Sequence, residues 1–202
     1  MKEFWDQRYS HEEFAYGMEP NSFLAQNYSR LPMGKVLCLA EGEGRNGAFL
    51  ASKGYQVTAV DQSEVGLAKA QRLCQRLSTQ MNTIAADLNE YDLGENKWDG
   101  VVAISAMVPP AIREKMHKAV VKALKAGGVL ILEAYTLRHT QLPGIGGPPA
   151  EQKQMFMSLE QLKQEFAGLR ILHGLETERE MSEGQYHQGL SGVVQVIAQK
   201  PH

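Results

Sequence analysis

The chain has 202 residues, of which 43% are hydrophobic and 22% charged, the make-up of one ordinary globular domain. A core of this size buries roughly three quarters of the unfolded surface without metals or cross-links. Lys and Arg number 21 against 23 acidic residues, a net charge of −2 that offers nucleic acid no attractive field. No apolar run approaches the roughly 20 residues a membrane helix needs, and the start Met1-Lys2-Glu3-Phe4-Trp5-Asp6 lacks the basic end and apolar stretch of a signal peptide. The composition thus predicts a cytoplasmic protein, monomer or homodimer, with neither nucleic-acid nor membrane partners. Cys38 and Cys74 belong to no CxxC pair and the six histidines show no HxH or HxxxH spacing, so no metal site is expected.

Aromatic residues cluster from Phe4 to Tyr9, and a helix is predicted from about Pro20-Asn21; residues 1–30 read as a cap on a single domain spanning 1–202. Strand and helix then alternate through a core predicted at 35–135. Val36 to Ala40 is a continuous apolar run, as a parallel strand covered on both faces should be. A glycine-rich turn and a helix over 46–53 follow. Gln56 to Val60 is a second strand ending in Asp61, and Ser63 caps a helix whose apolar stripe is Ala70, Leu73, Cys74 and Leu77. Thr83 to Ala86 is a third strand ending in Asp87, and Trp98 to Ile104 a fourth. Pro109-Pro110 opens a helix that Gly127-Gly128 is expected to stop, before a fifth strand from Val129 to Ala134.

Beyond it, 136–202 predicts a loop at Gly144 to Pro149, a helix after the Ser158-Leu159-Glu160-Gln161 capping box, and two strands, Arg170–Leu175 and Val193–Ala198, joined by a polar segment. The expected fold is α/β, a mostly parallel seven-stranded sheet of order 3-2-1-4-5-7-6 with an antiparallel last strand and helices on both faces.

The sharpest chemical signal is Glu41-Gly42-Glu43-Gly44-Arg45-Asn46-Gly47, a literal GxGxxG between first strand and first helix. There it suits a nucleotide-bearing ligand, and an NAD(P)-dependent oxidoreductase is one reading. Asp61 is placed to accept hydrogen bonds from both ribose hydroxyls, and Asp87 with Leu88 to hold an adenine; either aspartate also fits a simple turn cap. Tyr135, Arg138 and His139 follow the fifth strand at the edge where such sheets bind ligands.

Together these segments resemble the class I S-adenosylmethionine-dependent methyltransferases, and within them the branch related to tellurite-resistance and thiopurine methyltransferases. The carriers are Phe4 to Tyr9, Tyr16-Gly17-Met18-Glu19-Pro20-Asn21, the Glu41 to Asn46 loop, Gly54 to Ser63, and Ala123 to Gly128. The resemblance implies S-adenosyl-L-methionine as cofactor and S-adenosyl-L-homocysteine as product, with Glu41, Gly42, Gly44, Asp61, Gln62, Asp87 and Leu88 binding it. It also implies a small-molecule methyl acceptor, a thiol or chalcogen oxyanion, near Trp5, Tyr9, Tyr16, Arg45, Tyr135, Arg138 and His139, with no catalytic residue identified. Two departures stand out: Cys38 takes the place of an acidic residue in the first strand and Ala40 that of the first glycine, leaving Glu41 a polar role near the methionine amino group. Val108-Pro109-Pro110-Ala111 lacks the Asn/Asp-Pro-Pro-aromatic motif of enzymes that methylate DNA or protein glutamine. A non-catalytic S-adenosylmethionine-binding protein is a third reading. Residues 1–20 and the Gly144 to Pro149 loop are expected to be covers that order over the cofactor.

Overall fold

The computed structural model describes residues 1–202. Seven strands form one sheet in the order β3-β2-β1-β4-β5-β7-β6. Strands β1 (Lys35–Leu39), β2 (Gln56–Asp61), β3 (Asn82–Ala85), β4 (Trp98–Ile104) and β5 (Leu124–Tyr135) run parallel. The last two, β6 (Arg170–Glu183) and β7 (His187–Gln199), pair antiparallel, and β7 inserts antiparallel beside β5. The predicted order is therefore the observed one. An antiparallel strand in that position separates this sheet from the all-parallel dinucleotide-binding fold.

Burial explains the apolar runs. Along β1, Leu37 and Leu39 face a core that includes Met116, Val120, Leu162 and Phe166, while Val36 and Cys38 face a second one with Phe23, Leu24, Leu50 and Tyr55. Alternate residues thus enter opposite cores, so no polar face interrupts the strand. Helices α2 (Ser22–Asn27) and α3 (Arg45–Ser52) contribute to the second core, α5 (Pro110–Ala123) and α6 (Leu159–Glu165) to the first. Helix α4 (Glu64–Arg76) buries Leu67, Ala70, Leu73 and Cys74, and its predicted cap is present, Ser63 Oγ accepting from the Gly66 amide at 3.1 Å. Helix α6 is locked to α5 where Arg113 donates to both oxygens of Glu165 and His117 Nδ1 lies 2.5 Å from the same carboxylate.

Two boundaries differ from expectation. Helix α5 ends at Ala123, and Gly127-Gly128 lie inside β5 beside a register shift in its pairing with β4, so the glycines permit an irregular strand entry instead of stopping the helix. The polar segment between the predicted terminal strands is itself strand, giving a hairpin of 14 and 13 residues. Both cysteines are free and buried. No helix is long and apolar enough to cross a membrane.

The N-terminal cap comprises α1 (Lys2–Tyr9) and the segment to α2. Asp6 accepts from Ser63 Oγ at 2.6 Å, tying α1 to the start of α4. The next segment is held by a buried pair, Lys69 Nζ to Glu43 at 2.5 Å, with Lys69 also donating to the carbonyls of His11 and Glu13 and Glu43 accepting from the Ala15 amide.

Candidate active site

The carboxyl ends of β1 to β5 open into one cavity of about 460 Å³, within the range typical of small-molecule sites. The order reverses between β1 and β4, and the residues that leave those two strands, Ala40 and Ser105, both line the cavity with left-handed backbones, φ 51° and 52°. Such a conformation costs a side-chain-bearing residue about 1–2 kcal/mol. The strain lies where the chain must turn sharply to leave room for a ligand.

Glu41 follows that kink. It is 8% exposed, borders the cavity, and its Oε1 accepts from the Gly47 amide of α3 at 2.6 Å. Burial, opposed by the Gly47 bond and the charge of Arg45, pushes its carboxyl up to about 7. Asp61, at the end of β2, accepts from the Gly42 amide through Oδ2 and the Ser63 amide through Oδ1, both at 2.8 Å. Those bonds fix the plane of the carboxylate and leave one acceptor direction on each oxygen. Burial raises the Asp61 carboxyl also, against the pull of these amides. Gln62, Asp87 and Leu88 complete this end of the wall. Asp87 is exposed and its Oδ1 accepts from the Asn89 amide at 2.8 Å, so it caps a turn while bordering the cavity.

Gly42 and Gly44 have a different place from the one expected. Neither borders the cavity. A Cβ on Gly42 would meet the Tyr9 hydroxyl at 2.5 Å, and one on Gly44 would strike Ala70 and come 2.8 Å from Met81 Cε. With φ 57° and 85°, they let the turn fold tightly under α1 and against α4. The turn's side chains at Glu41, Glu43 and Arg45 border the cavity, while its two glycines pack beneath it.

The cavity is also lined by apolar and aromatic side chains, among them Met107, Val108, Ile112, Met155, Met157, Trp5, Tyr9, Tyr16 and Tyr135. Helix α1 and the 145–149 loop both border it, and Gly146 and Gly147 lie against the ring of Tyr135. Arg45 borders it as well, but its guanidinium is engaged by Glu183 at 2.6 Å. Two expected acceptor residues lie elsewhere. The short 3-10 turn Leu137–Gln141 swings Arg138 outward to Glu178 at 2.8 Å, and tucks His139 behind Tyr135, where its Nε2 is 3.0 Å from the Gly146 carbonyl.

The hairpin supplies what sequence reading missed. Glu183 closes β6 and is the cross-strand partner of His187, which opens β7. Glu183 contacts Arg45, Arg179 at 2.7 Å and Asn21 Nδ2 at 3.1 Å, while the fully buried Glu133 of β5 contacts Arg179 at 2.5 Å, Asn21 and Gln195. Against the cost of burial, the contacts of His187, Arg45 and Arg179 hold the Glu183 carboxyl far below its ordinary range. His187 borders the cavity, 4.4 Å ring to ring from Tyr16, with its Nδ1 buried, 3.8 Å from Glu183 and without a hydrogen-bond partner. Burial lowers its basicity against the opposing pull of Glu183.

Residues 36–128 match the family model for a methyltransferase domain. Over 98 residues, 48% of this chain, the sequence is 31% identical to YbaJ of Bacillus subtilis (strain 168), an uncharacterized methyltransferase, and the match spans 38% of that relative's length. Among solved structures, one that belongs to a study of the conversion of a disulfide bond into a thioacetal group during echinomycin biosynthesis superposes with TM-score 0.76 at 19% identity, covering 100% of this chain and 92% of that one. TehB from Haemophilus influenzae superposes with TM-score 0.74 at 18% identity, covering 98% of this chain and 66% of that one. Residues 36–128 thus match a methyltransferase domain model, and the whole chain shares the fold of those solved structures, built on one seven-stranded sheet.

Proposed function

We propose that the protein transfers the methyl group of S-adenosylmethionine to a small protic acceptor. The observation that carries this reading is the oriented Asp61 carboxylate, which the Gly42 and Ser63 amides aim along the wall of a cavity that also holds Glu41 and Leu88. Two fixed acceptors suit the vicinal hydroxyls of a ribose, Glu41 suits an ammonium group, and Leu88 suits an adenine face. When bound, S-adenosylmethionine supplies an electrophilic methyl carbon on a good leaving group.

The chain supplies alignment, exclusion of water and a proton acceptor. The methionine and tyrosine wall suits the apolar body of an acceptor, and His187 Nε2 is the nitrogen left to take its proton while Glu183 faces Nδ1. A thiol is the acceptor group this arrangement favours. A second reading, a chalcogen oxyanion, draws on Arg8, which borders the cavity, forms no ion pair, and rests on the Tyr186 ring at 3.8 Å and the Tyr16 hydroxyl at 3.2 Å.

Calorimetric titration tests the cofactor assignment. Asp61→Ala removes both charge-assisted acceptors, at about 1.5–3 kcal/mol each, and is expected to weaken S-adenosylhomocysteine binding at least tenfold, with Asp61→Asn in between. Since Asp61 also braces the Gly42 turn, affinity is measured on the folded fraction. Wild-type affinity in Asp61→Ala sinks its role; tight NAD binding by the wild type sinks the proposal. Product formation with labelled cofactor across a thiol and oxyanion panel separates an enzyme from a protein that only binds the cofactor.

A further inference from the structure

We propose that Arg8 sets the specificity for the acceptor, which is a thiol acid whose carboxylate is held by the Arg8 guanidinium and the Tyr16 hydroxyl. The proposal rests on the methyl-transfer reading above and adds to it the charge of the substrate.

Apart from histidine, the cavity is bordered by the Met1 ammonium, Arg8 and Arg45. Met1 faces Glu3 at 3.6 Å and Arg45 is engaged by Glu183 at 2.6 Å, so Arg8 is the cation left without an acidic partner. It is nevertheless held in place. Its guanidinium carbon lies 3.8 Å from the centre of the Tyr186 ring and 5.0 Å from that of Phe4, and its Nη1 donates to the Tyr16 hydroxyl at 3.2 Å. That bond uses one N–H of the fork. Tyr16 only accepts in it, and its own O–H proton has no acceptor in the chain.

A clasp between α1 and the hairpin does not account for this arrangement. Packing on aromatic rings uses the faces of a guanidinium and leaves its N–H edge unspent. A fork with unused donors beside a hydroxyl with a free proton is a seat for a planar anion, the fork meeting both carboxylate oxygens and the hydroxyl one of them. Its place points to the acceptor. The Tyr16 ring lies 4.4 Å from that of His187, and Tyr186, which packs on Arg8, precedes His187 in the chain. No hydrogen bond joins the seat to Glu41 or Asp61. A substrate anchored at Arg8 by its carboxylate and linked by a short apolar spacer therefore brings its thiol toward His187. Its sulfur then bonds to the methyl carbon as the bond to the cofactor's sulfur breaks and leaves its electron pair there, while the thiol proton goes to His187 Nε2. The carboxylate takes no part in these changes.

The probes are 3-mercaptopropionate and its uncharged counterpart 3-mercaptopropanamide, with labelled S-adenosylmethionine. The wild type is expected to favour the carboxylate in kcat/KM, less so as salt rises. Arg8→Gln should cut the ratio of the two kcat/KM values by about 10–100-fold, chiefly through KM for the carboxylate, and remove its salt dependence. Arg8→Lys, which keeps the charge without the fork, should fall between. Calorimetry on the wild type saturated with S-adenosylhomocysteine gives a reading independent of any variant's folding: 3-(methylthio)propionate should bind at least about tenfold more tightly than its amide. A ratio unchanged by Arg8→Gln, or equal binding of the two thioethers, overturns the proposal and leaves methyl transfer to thiols standing. A loss of S-adenosylhomocysteine affinity in Arg8→Gln as large as the loss of carboxylate preference also overturns it, because the anion at Arg8 is then the cofactor's own. So does loss of selenite methylation with an unchanged thiol ratio, which gives Arg8 to a reacting oxyanion. Absence of transfer to either thiol, with S-adenosylhomocysteine still bound, overturns the proposal and the thiol reading. If S-adenosylhomocysteine does not bind either, the proposed function itself is rejected.

Discussion

Arg179→Ala is expected to destabilise the protein by about 3–5 kcal/mol, the usual consequence of removing one partner from a buried ion pair. Arg179 is the hub of the hairpin network, donating to Glu133 at 2.5 Å and to Glu183 at 2.7 Å. Glu133 is fully buried and Glu183 nearly so, hence water cannot replace the lost cation. Asn21 and Gln195 donate to the same acids but carry no charge. The sign with pH follows from Glu183. Its folded-state carboxyl is held below the unfolded value of about 4.3, so its contribution is complete above that value and is lost as pH falls toward the depressed one. The gap between wild type and variant should therefore be widest near neutrality and narrow below about pH 4. Urea titrations at several pH values measure it. A pH-independent loss under 1 kcal/mol would show that the network is screened like an exposed one.

The network also shows where sequence reading stops. Arg45 and Glu183 are 138 residues apart, and Arg179 and Glu133 are 46 apart, so no local pattern announces either pair. What was visible is Glu133 itself, an acid inside the apolar run Val129 to Ala134, and the alternation Glu176-Thr177-Glu178-Arg179-Glu180-Met181-Ser182-Glu183. That alternation is a strand signal, but it reads as polar linker because β6 is an edge strand whose outward residues meet solvent. The parallel strands were legible for the opposite reason. Two cores cover β1, β4 and β5, so their sequences are nearly unbroken apolar runs.

Within the site, the positions that follow the end of a strand, Glu41, Asp61, Gln62, Asp87 and Leu88, border the cavity. Positions one turn further on do not. Arg138 and His139 were expected beside the acceptor because they follow β5 closely, yet a single 3-10 turn is enough to send one outward and the other behind Tyr135. His187 went unnoticed because its meaning depends on the hairpin register that sets it across from Glu183.

Replacing His187 should separate binding from turnover. With a thiol acceptor, His187→Ala and His187→Gln are expected to lower kcat by about 10²–10⁴, the usual worth of a general base, while S-adenosylhomocysteine affinity stays within about twofold. The expectation follows from the proposed roles, in which Glu41 and Asp61 hold the cofactor while His187, which borders the same cavity, meets the acceptor. In the wild type, kcat should rise with pH and level off once His187 is neutral, at a pH below the ordinary histidine value because burial disfavours its charged form. The variants lose that limb, and their rate follows ionisation of the thiol itself, so it continues to climb toward pH 9. Glu183→Gln should keep His187 in place and give an intermediate rate, with its melting curve recorded to separate network loss from catalysis. An acceptor already ionised at neutral pH, such as selenite, should be far less sensitive to His187→Ala than the thiol. Equal losses for both acceptors would mark His187 as part of the wall, and an unchanged pH profile in the variant would remove it from proton transfer.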